Sequence, residues 1–367
     1  MLMGPKPNPW IDALDPYVPG RHKAEGNVAA IKMSANETPF GPSPKAVAAF
    51  TQAARDMHIY PEGSSAALRA ALAEHHGIDA DRIICGAGSD DILALAAQAF
   101  AGPGEEVIYV RHGFMIYPIV ARRAGALAVA APDRDMRTDV DAILASVTDR
   151  TRLVFIANPN NPTGTYATAD EVARLHRELP SHVLLVLDEA YGEYVGAADY
   201  PDGIGLAGEA ANVLVTRTFS KIYGLAAARV GWGYGAPGVI DALNRARMPF
   251  NVAGPAQAAA IAALADHDWT ARARAHNDLW LPRLTQAVRD MGLEVVPSAG
   301  NFILIRFPET HGVCAAACDA YLSRRGYLLR HLPKQGLPDC LRLTIGLDAD
   351  NQGVLAAMAD FLREAGR

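Results

Sequence analysis

The chain is poor in cysteine, and it has no long apolar stretch and no basic cluster. Its four cysteines among 367 residues, Cys85, Cys314, Cys318 and Cys340, are too few and too scattered for a disulfide framework or a four-thiolate zinc site. The first residues show no basic segment followed by an apolar one, so the sequence gives no reason to predict secretion or membrane insertion. We therefore expect a cytoplasmic protein with reduced cysteines and no metal site.

The overall composition is that of a large globular protein. Half of the residues are hydrophobic, 20% are charged, and the formal net charge is −6, which is ordinary for such a chain. No basic patch suggests a nucleic-acid partner. A length of 367 residues exceeds one average domain, so a large domain with a smaller companion is expected.

Short apolar runs recur between longer helical patterns. They lie at Ile83–Ile84, Val107–Val110, Leu153–Ile156, Val183–Leu187, Val213–Val215 and Val230–Trp232. Such runs are typical of buried parallel strands. In one intervening segment, Thr168 is followed three residues later by Glu171, a pattern that indicates a capping box at the start of an amphipathic helix. The alternation of strand and helix predicts an α/β fold with a mostly parallel sheet flanked by helices.

The pattern of predicted helices and strands changes near residue 245. A long helical stretch from Trp269 to Met291 is followed by the candidate strands NFILIRF and CLRLTI and by a last helix. We expect an N-terminal arm over residues 1–40, a large domain over 41–245, and a small α+β domain over 246–367. The arm would contribute to the small domain and to a subunit contact.

Polar motifs follow four of the apolar runs. The motif CGAGSDD begins at Cys85, NPNNPTG ends at Gly164, DEAY begins at Asp188, and TRTFSK ends at Lys221. Because open α/β sheets bind their ligands at the carboxyl ends of the strands, these motifs are expected to meet in one site.

Three of these motifs each allow a functional and a purely structural interpretation. Ser89 should begin a helix whose free N–H groups favour a phosphate, although a helix cap is equally consistent. Asp188 should be buried at a strand end, where a cation such as a pyridinium nitrogen would keep it ionised, but a single Asp there is more commonly a turn cap. Asn161 is equally suited to an ordinary turn.

The fourth motif, TRTFSKIYGLAAARVG, is the most informative. It contains one lysine, Lys221, among mostly small or apolar residues, which favour the neutral amine that Schiff-base chemistry requires. Thr218, Ser220 and Arg229 offer donors to a phosphate dianion. Taken alone, the segment is equally consistent with an exposed lysine on a loop.

Taken together, these motifs resemble those of fold-type-I pyridoxal-phosphate enzymes, and specifically the histidinol-phosphate aminotransferases. The resemblance covers nearly the whole chain. The matching marks, in family order, are YVPG at Tyr17, SANETPFGPSP, YPEG at Tyr60, GAGSDD, NPNNPTG, DEAY, TFSK with Arg229, GYLLR at Arg330 and CLRLTIG at Arg342. Two positions depart from the pattern, since the family often has Gly at Ala227 and Tyr at Phe114.

The resemblance implies a cofactor site for pyridoxal 5′-phosphate. It assigns the covalent Schiff base to Lys221, the partner of the pyridine nitrogen to Asp188, and the partners of the phenolic ring oxygen to Tyr191 and Asn161. Phe114 would lie against the ring. The resemblance assigns the phosphate to the backbone of Ala87, Gly88 and Ser89 and to Thr218, Ser220, Arg229 and Tyr60.

The resemblance also implies a substrate shell and an assembly. Arg342 would bind the anionic group of the substrate, with Arg330, Tyr17 and Asn161 nearby. Tyr60 would reach the cofactor of a second subunit, so a homodimer with shared sites is expected. The implied reaction transfers an amino group from histidinol phosphate to 2-oxoglutarate by a ping-pong mechanism in histidine biosynthesis.

Four alternatives compete with this interpretation. An aromatic amino acid aminotransferase shares the scaffold, with Arg342 binding a carboxylate. A threonine-phosphate decarboxylase shares the lysine and the arginines but releases carbon dioxide. A non-catalytic ligand sensor would need a DNA-binding domain, for which the arm is too short. A dinucleotide-dependent dehydrogenase lacks its third glycine and leaves TFSK without a role.

Overall fold

A computed structural model describes residues 4–12, 14, 20–21, 23, 28–308 and 312–366. The α-helices of these residues are α1 (Pro9–Asp12), α2 (Pro44–Ala53), α3 (Ala66–His76), α4 (Ser89–Phe100), α5 (Ile116–Arg123), α6 (Val140–Ala145), α7 (Ala169–Glu178), α8 (Gly203–Glu209), α9 (Pro237–Ala246), α10 (Gly254–Leu264), α11 (His267–Asp290), α12 (Ala315–Arg324) and α13 (Asp348–Glu364). Short 3-10 turns lie at Ala54–Asp56, Ala80–Arg82, Gly192–Tyr194, Ala226–Ala228 and Pro333–Gln335.

The strands are short and fall into three sheets. They are β1 (Ile31–Lys32), β2 (Ile83–Gly86), β3 (Glu106–Val110), β4 (Leu127–Ala131), β5 (Thr151–Ala157), β6 (Leu184–Asp188), β7 (Val213–Thr218), β8 (Gly231–Gly235), β9 (Glu294–Val296), β10 (Phe302–Arg306), β11 (Tyr327–Leu328), β12 (Arg330–Leu332) and β13 (Leu337–Thr344). The largest sheet has seven strands in the order β2-β8-β7-β6-β5-β3-β4. The predicted α/β class with a mostly parallel seven-stranded sheet is confirmed.

The large sheet is buried on both faces, which explains why its strands are continuous apolar runs. Successive side chains of a strand point to opposite faces. In β5, Val154 and Ile156 enter one hydrophobic core while Leu153 and Phe155 enter the core on the other side. Helices cover both faces, as expected for a doubly wound α/β fold.

Two details of this sheet differ from the sequence predictions. The run at Val230–Trp232 was expected to be a parallel strand, but β8 pairs antiparallel to both β2 and β7. A hydrophobic run reports burial and carries no information about strand direction. In addition, the edge strand β4 was not predicted, because its sequence LAVAA is rich in alanine and only partly buried.

Helix starts follow the local sequence signals. Thr168 and Glu171 form the predicted capping box of α7, with each side chain accepting a backbone N–H of the other residue. Ser43 caps α2 with its hydroxyl, and Pro44 occupies the first helical position. Among the described residues, no helix combines the length and the apolar character needed to cross a membrane.

A second core lies around a smaller sheet with the strand order β12-β13-β10-β9, all antiparallel. Helices α11, α12 and α13 contribute to this core. The N-terminal strand β1 pairs in parallel with β11 beside it. Helix α10 buries its alanines in the core of the large sheet instead. The division of the chain at residues 40 and 245 remains a prediction.

Candidate active site

The carboxyl ends of β5, β6 and β7 open onto one cavity of about 270 Å³. Motifs that are far apart in sequence meet there because the strands are neighbours in the sheet. The predicted residues that line the cavity are Ser89, Phe114, Asn161, Asp188, Tyr191, Thr218, Ser220, Lys221, Arg229, Arg330 and Arg342. Three predicted residues in the described part of the chain are not part of its lining, namely Ala87 and Gly88, which directly precede Ser89 in sequence, and Tyr60. Tyr17 falls outside the described residues.

Asp188 is the last residue of β6 and is only 3% exposed. The Tyr117 hydroxyl donates to its Oδ2 at 2.9 Å, and Thr216 donates to its Oδ1 at 3.4 Å. Burial raises the pKa of Asp188 to about 6, although these donors and the Ala190 N–H act in the opposite direction. Asp188 therefore caps a turn and also presents a buried carboxylate to the cavity, where a cationic ring nitrogen would favour its ionised form.

Lys221 follows β7 and points its amine into the same cavity. The Nζ donates to the carbonyl oxygen of Ala35 at 3.1 Å and lies 5.4 Å from the centre of the Tyr191 ring. The Tyr191 hydroxyl accepts a hydrogen bond from Asn36 at 2.8 Å. Among the described residues, the amine therefore bonds to a neutral carbonyl oxygen and forms no ion pair with a carboxylate.

The N-terminus of α4 forms the anion-binding end of the cavity. Gly88 precedes this helix with φ +103°, a conformation that favours glycine. A Cβ on Gly231 of β8 would lie 2.3 Å from the Ser89 nitrogen, so glycine there allows the strand and the helix start to approach closely. The first-turn N–H groups and the positive end of the helix dipole favour a phosphate at this position.

Arg229 closes this end of the cavity. Its guanidinium pairs with Asp90 at 2.6 Å and reaches the Ser220 hydroxyl at 3.4 Å and the Ala87 carbonyl at 3.3 Å. The Thr218 hydroxyl accepts the N–H of Ser220 at 3.1 Å. Arg229, Thr218 and Ser220 thus line the same cavity as Ser89, which begins the helix. Their roles toward a phosphate remain predictions.

One predicted phosphate donor is already engaged. The N–H of Ala87 donates to Asp91 Oδ2 at 2.9 Å. Asp91 also accepts from Asn251 at 3.2 Å. A backbone contact from Ala87 to a phosphate would therefore compete with this turn, and it remains a prediction.

The opposite end of the cavity contains two arginines. Arg342 is almost fully buried on β13, where it donates to Asn161 Oδ1 and to the Ser34 carbonyl oxygen at 2.5 Å. Arg330 lies on the neighbouring strand β12. The Arg342–Asn161 bond joins this arginine to the NPNNPTG loop, so two of the four predicted substrate residues bond to each other.

Tyr60 lies on the surface of this chain and is 79% exposed. Its ring stacks on Phe250 with the centroids 4.6 Å apart. The exposed side chains of Met57 and Ile59 are close to Tyr60 in sequence, and that of Met248 is close to Phe250. Apolar exposure on this scale is typical of a protein–protein interface.

Sequence reasoning gave no role to several residues at the site. Asn36, Glu37 and Gln335 line the cavity, and Tyr117 donates to Asp188 from α5. Asn36 belongs to the motif SANETPFGPSP, which was matched to the family as a whole, so the motif was the signal that could have pointed to this residue. Tyr117 lies in a helix without a recognisable motif, so only the tertiary structure reveals it. Ala227 is exposed and does not line the cavity.

The arrangement fits pyridoxal phosphate. One cavity is lined by a half-buried lysine, a buried carboxylate, the first residue of a helix, an arginine and two further hydroxyls. The cofactor has three matching groups, which are an aldehyde, a basic ring nitrogen and a phosphate. Fold and site therefore define a pyridoxal-phosphate-dependent enzyme of fold type I.

Comparison with known proteins identifies the family. The family model of class I and II aminotransferases matches residues 28–358. The chain belongs to this family, and it is an aminotransferase with pyridoxal phosphate as its cofactor.

Similar proteins share the full length of the chain. The histidinol-phosphate aminotransferase of Rhodospirillum centenum is 51% identical over 362 residues, which cover 99% of this chain and 100% of that protein. The histidinol-phosphate aminotransferase of Rhodopseudomonas palustris strain HaA2 is 51% identical over 98% of both chains. A crystal structure of histidinol-phosphate aminotransferase from Sinorhizobium meliloti, in complex with pyridoxal-5′-phosphate, superposes with a TM-score of 0.90 at 32% identity over 99% of both chains.

Proposed function

We propose that this aminotransferase transfers the amino group of histidinol phosphate to 2-oxoglutarate. The observation that carries the proposal is the pair of arginines, Arg330 and Arg342, in the cavity that also contains Lys221. A phosphate monoester carries nearly two charges and three acceptor oxygens, whereas a carboxylate carries one charge and two oxygens. Two arginines match the phosphate better. The histidinol-phosphate aminotransferases at 51% identity support the same substrate.

Different residues of the cavity have different roles in this reaction. When bound, pyridoxal phosphate supplies the electron sink that makes the substrate Cα–H bond acidic. Asp188 holds the proton on the ring nitrogen. With the cofactor bound, the Lys221 amine would take the proton from the substrate Cα as a general base and, as a general acid, would deliver it to the aldehyde carbon of the cofactor, which receives the amino group. Tyr191 and Asn161 hold the ring oxygen, while Ser89, Thr218, Ser220 and Arg229 hold the phosphate of the cofactor.

The same cavity serves both half-reactions. Arg342 binds the phosphate of the amino donor first and the carboxylate of glutamate or 2-oxoglutarate afterwards. Because one substrate must leave before the other enters, the kinetics are ping-pong. Phe114, which lines the cavity, would limit the motion of the bound cofactor ring.

The active unit in this proposal is a homodimer in the cytoplasm. The exposed Tyr60 donates its hydroxyl to the cofactor phosphate of the partner, and the apolar side chains around it are covered by the partner. An isologous twofold contact then completes two identical sites at once.

The test is the relative kcat/KM of the purified enzyme for histidinol phosphate, phenylalanine and tyrosine, each with 2-oxoglutarate. The proposal requires histidinol phosphate to be the best donor. A higher kcat/KM for phenylalanine or tyrosine would make the enzyme an aromatic aminotransferase. Release of carbon dioxide without consumption of 2-oxoglutarate would instead indicate a decarboxylase.

A further inference from the structure

Three consecutive residues near the N-terminus, Ser34, Ala35 and Asn36, each contact a different residue of the candidate site. The contacts run from Arg342 to the Ser34 carbonyl at 2.5 Å, from Lys221 to the Ala35 carbonyl at 3.1 Å, and from Asn36 Nδ2 to Tyr191 Oη at 2.8 Å. The first two contacts use the backbone of the segment. Asn36 alone acts through its side chain, so its contribution can be isolated by substitution.

Asn36 is held firmly in place. It is only 1% exposed and adopts φ +56°, a left-handed conformation that asparagine tolerates better than most residues. Its backbone N–H donates to Thr344 Oγ1 at 3.0 Å, and its carbonyl accepts from Asn301 Nδ2 at 3.0 Å. The segment is therefore anchored to β13 and to the loop before β10.

The orientation of the Asn36 amide follows from its partners. The Thr344 hydroxyl already accepts the backbone N–H of Asn36, so it donates its own proton to Asn36 Oδ1, which lies 3.0 Å away. With Oδ1 facing Thr344, the NH₂ group must face Tyr191. The donor in the Asn36–Tyr191 bond is therefore Asn36, and the phenol oxygen is the acceptor.

A phenol has one proton to donate. Because Asn36 occupies an acceptor position of Tyr191 Oη, the Tyr191 proton remains available for a different partner, and Tyr191 lines the cavity. A phenol that accepts a hydrogen bond also becomes a stronger donor through cooperative polarisation.

We propose that Asn36 is a positioning residue that acts through Tyr191, directing the Tyr191 proton to the phenolic ring oxygen of pyridoxal phosphate. The inference rests on the proposed function, since it needs the cofactor ring beside Tyr191. It assigns a task to a residue of the SANETPFGPSP motif that contacts no reacting atom itself.

The test is a pH titration of the visible absorbance of the holoenzyme in the absence of substrate. Asn36→Gly removes the amide and retains the left-handed backbone at little strain. A hydrogen bond donated to the phenolic oxygen stabilises that oxygen after the proton that it shares with the neighbouring nitrogen has been lost. The hydrogen bond therefore lowers the pKa of that shared proton. The absorbance midpoint of Asn36→Gly should therefore rise by about 0.5 to 1 pH unit, as for one lost hydrogen bond.

A double-variant cycle with Tyr191→Phe identifies the route of the effect. If Asn36 acts through Tyr191, adding Asn36→Gly to Tyr191→Phe should shift the midpoint no further. A full additional shift in the double variant, or an unchanged midpoint in Asn36→Gly alone, would overturn the proposal.

Two further variants separate positioning from structural support. Thr344→Val removes the hydroxyl that orients the Asn36 amide and that also accepts the Asn36 backbone N–H, so an upward shift of the absorbance midpoint is expected together with a lower thermal midpoint, and an unchanged absorbance midpoint contradicts the proposal. Asn301→Ala removes the amide that bonds the Asn36 and Glu37 carbonyls but none of the partners of the Asn36 side chain, so it should lower the thermal midpoint without moving the absorbance midpoint. A wild-type protein that develops no visible band with pyridoxal phosphate would refute the proposed function itself, which is a different outcome.

Discussion

Arg330 lies directly opposite Arg342 in the antiparallel pairing of β12 with β13. Like charges in this position destabilise a sheet. Both side chains line the cavity that contains Lys221, and an anion bound there would offset the repulsion. An anion bound in the cavity would therefore meet both guanidinium groups.

The first prediction separates the two arginines by substrate. Arg330→Ala should lower kcat/KM for histidinol phosphate, with a loss of transition-state stabilisation of roughly 2–4 kcal/mol, as for a partly buried charge-assisted hydrogen bond. Phenylalanine, which lacks the second charge, should lose much less. Arg342→Ala serves as the comparison, because it should impair both half-reactions. Equal losses of Arg330→Ala for the two donors would favour an aromatic aminotransferase.

The second prediction concerns the lysine that binds the cofactor. Lys221→Ala should abolish turnover and remove the visible absorbance of the covalently bound cofactor, since no other lysine lines the cavity in the described part of the chain. Steady-state assays and an absorbance spectrum of the purified variant check this. Retention of the visible band would show that a different amine holds the cofactor.

Much of the site was predictable because its signals are contiguous in sequence. Asp188 ends β6 and Lys221 follows the neighbouring strand β7, and a strand followed by a polar motif is visible without a structure. The hydrogen bond between Tyr117 and Asp188 spans 71 residues, and the one between Asn36 and Tyr191 spans 155. Contacts of this kind arise only from tertiary packing, so neither residue stood out.

In the fold too, features with a local sequence signal were predicted and features that depend on tertiary structure were not. Buried runs such as β5 and β6 were recognised because both faces of the sheet are covered. The antiparallel direction of β8 was missed, since it depends on the path of the chain between elements and not on the local hydrophobic pattern. β4 was missed because alanine-rich edge strands have a weak signal.

The third prediction follows from the raised pKa of Asp188. The folded pKa, about 6, lies above the ordinary value of 3.8, so ionising this carboxyl opposes folding of the cofactor-free protein. The cost is absent below about pH 3.8, develops as the pH rises, and is complete above about pH 6. Asp188→Asn should therefore stabilise the apoenzyme at pH 7.5, by at most about 3 kcal/mol, and by much less at pH 4. Thermal unfolding at both pH values checks this.

The holoenzyme should respond to Asp188→Asn in the opposite way. The variant cannot supply a charge to the protonated ring nitrogen, so its turnover should fall severely while the cofactor still attaches to Lys221. An unchanged kcat would show that Asp188 acts only as a turn cap.

The fourth prediction tests the shared site of the proposed dimer. In a mixed dimer of Tyr60→Phe and Lys221→Ala chains, one site combines both lesions and the other combines neither, provided that Tyr60 serves the partner. Such dimers should show about half of the wild-type activity. If Tyr60 served its own chain, every site would be damaged once. A fully active monomer in sedimentation at assay concentration would contradict the dimer altogether.

The last prediction concerns the close approach of β8 to the start of α4. A Cβ at position 231 would lie 2.3 Å from the Ser89 nitrogen and 2.6 Å from the Gly88 carbonyl carbon, both of which are backbone atoms that cannot rotate away. Gly231→Ala must therefore displace the helix N-terminus that receives the cofactor phosphate. Overpacking of this kind costs about 1–3 kcal/mol, so the apoenzyme should bind pyridoxal phosphate roughly 5- to 150-fold more weakly in an absorbance titration. Gly238→Ala is the matched control, because no heavy atom lies within 4 Å of its added Cβ. If Gly231→Ala bound the cofactor as tightly as Gly238→Ala, the helix start would not be the phosphate site.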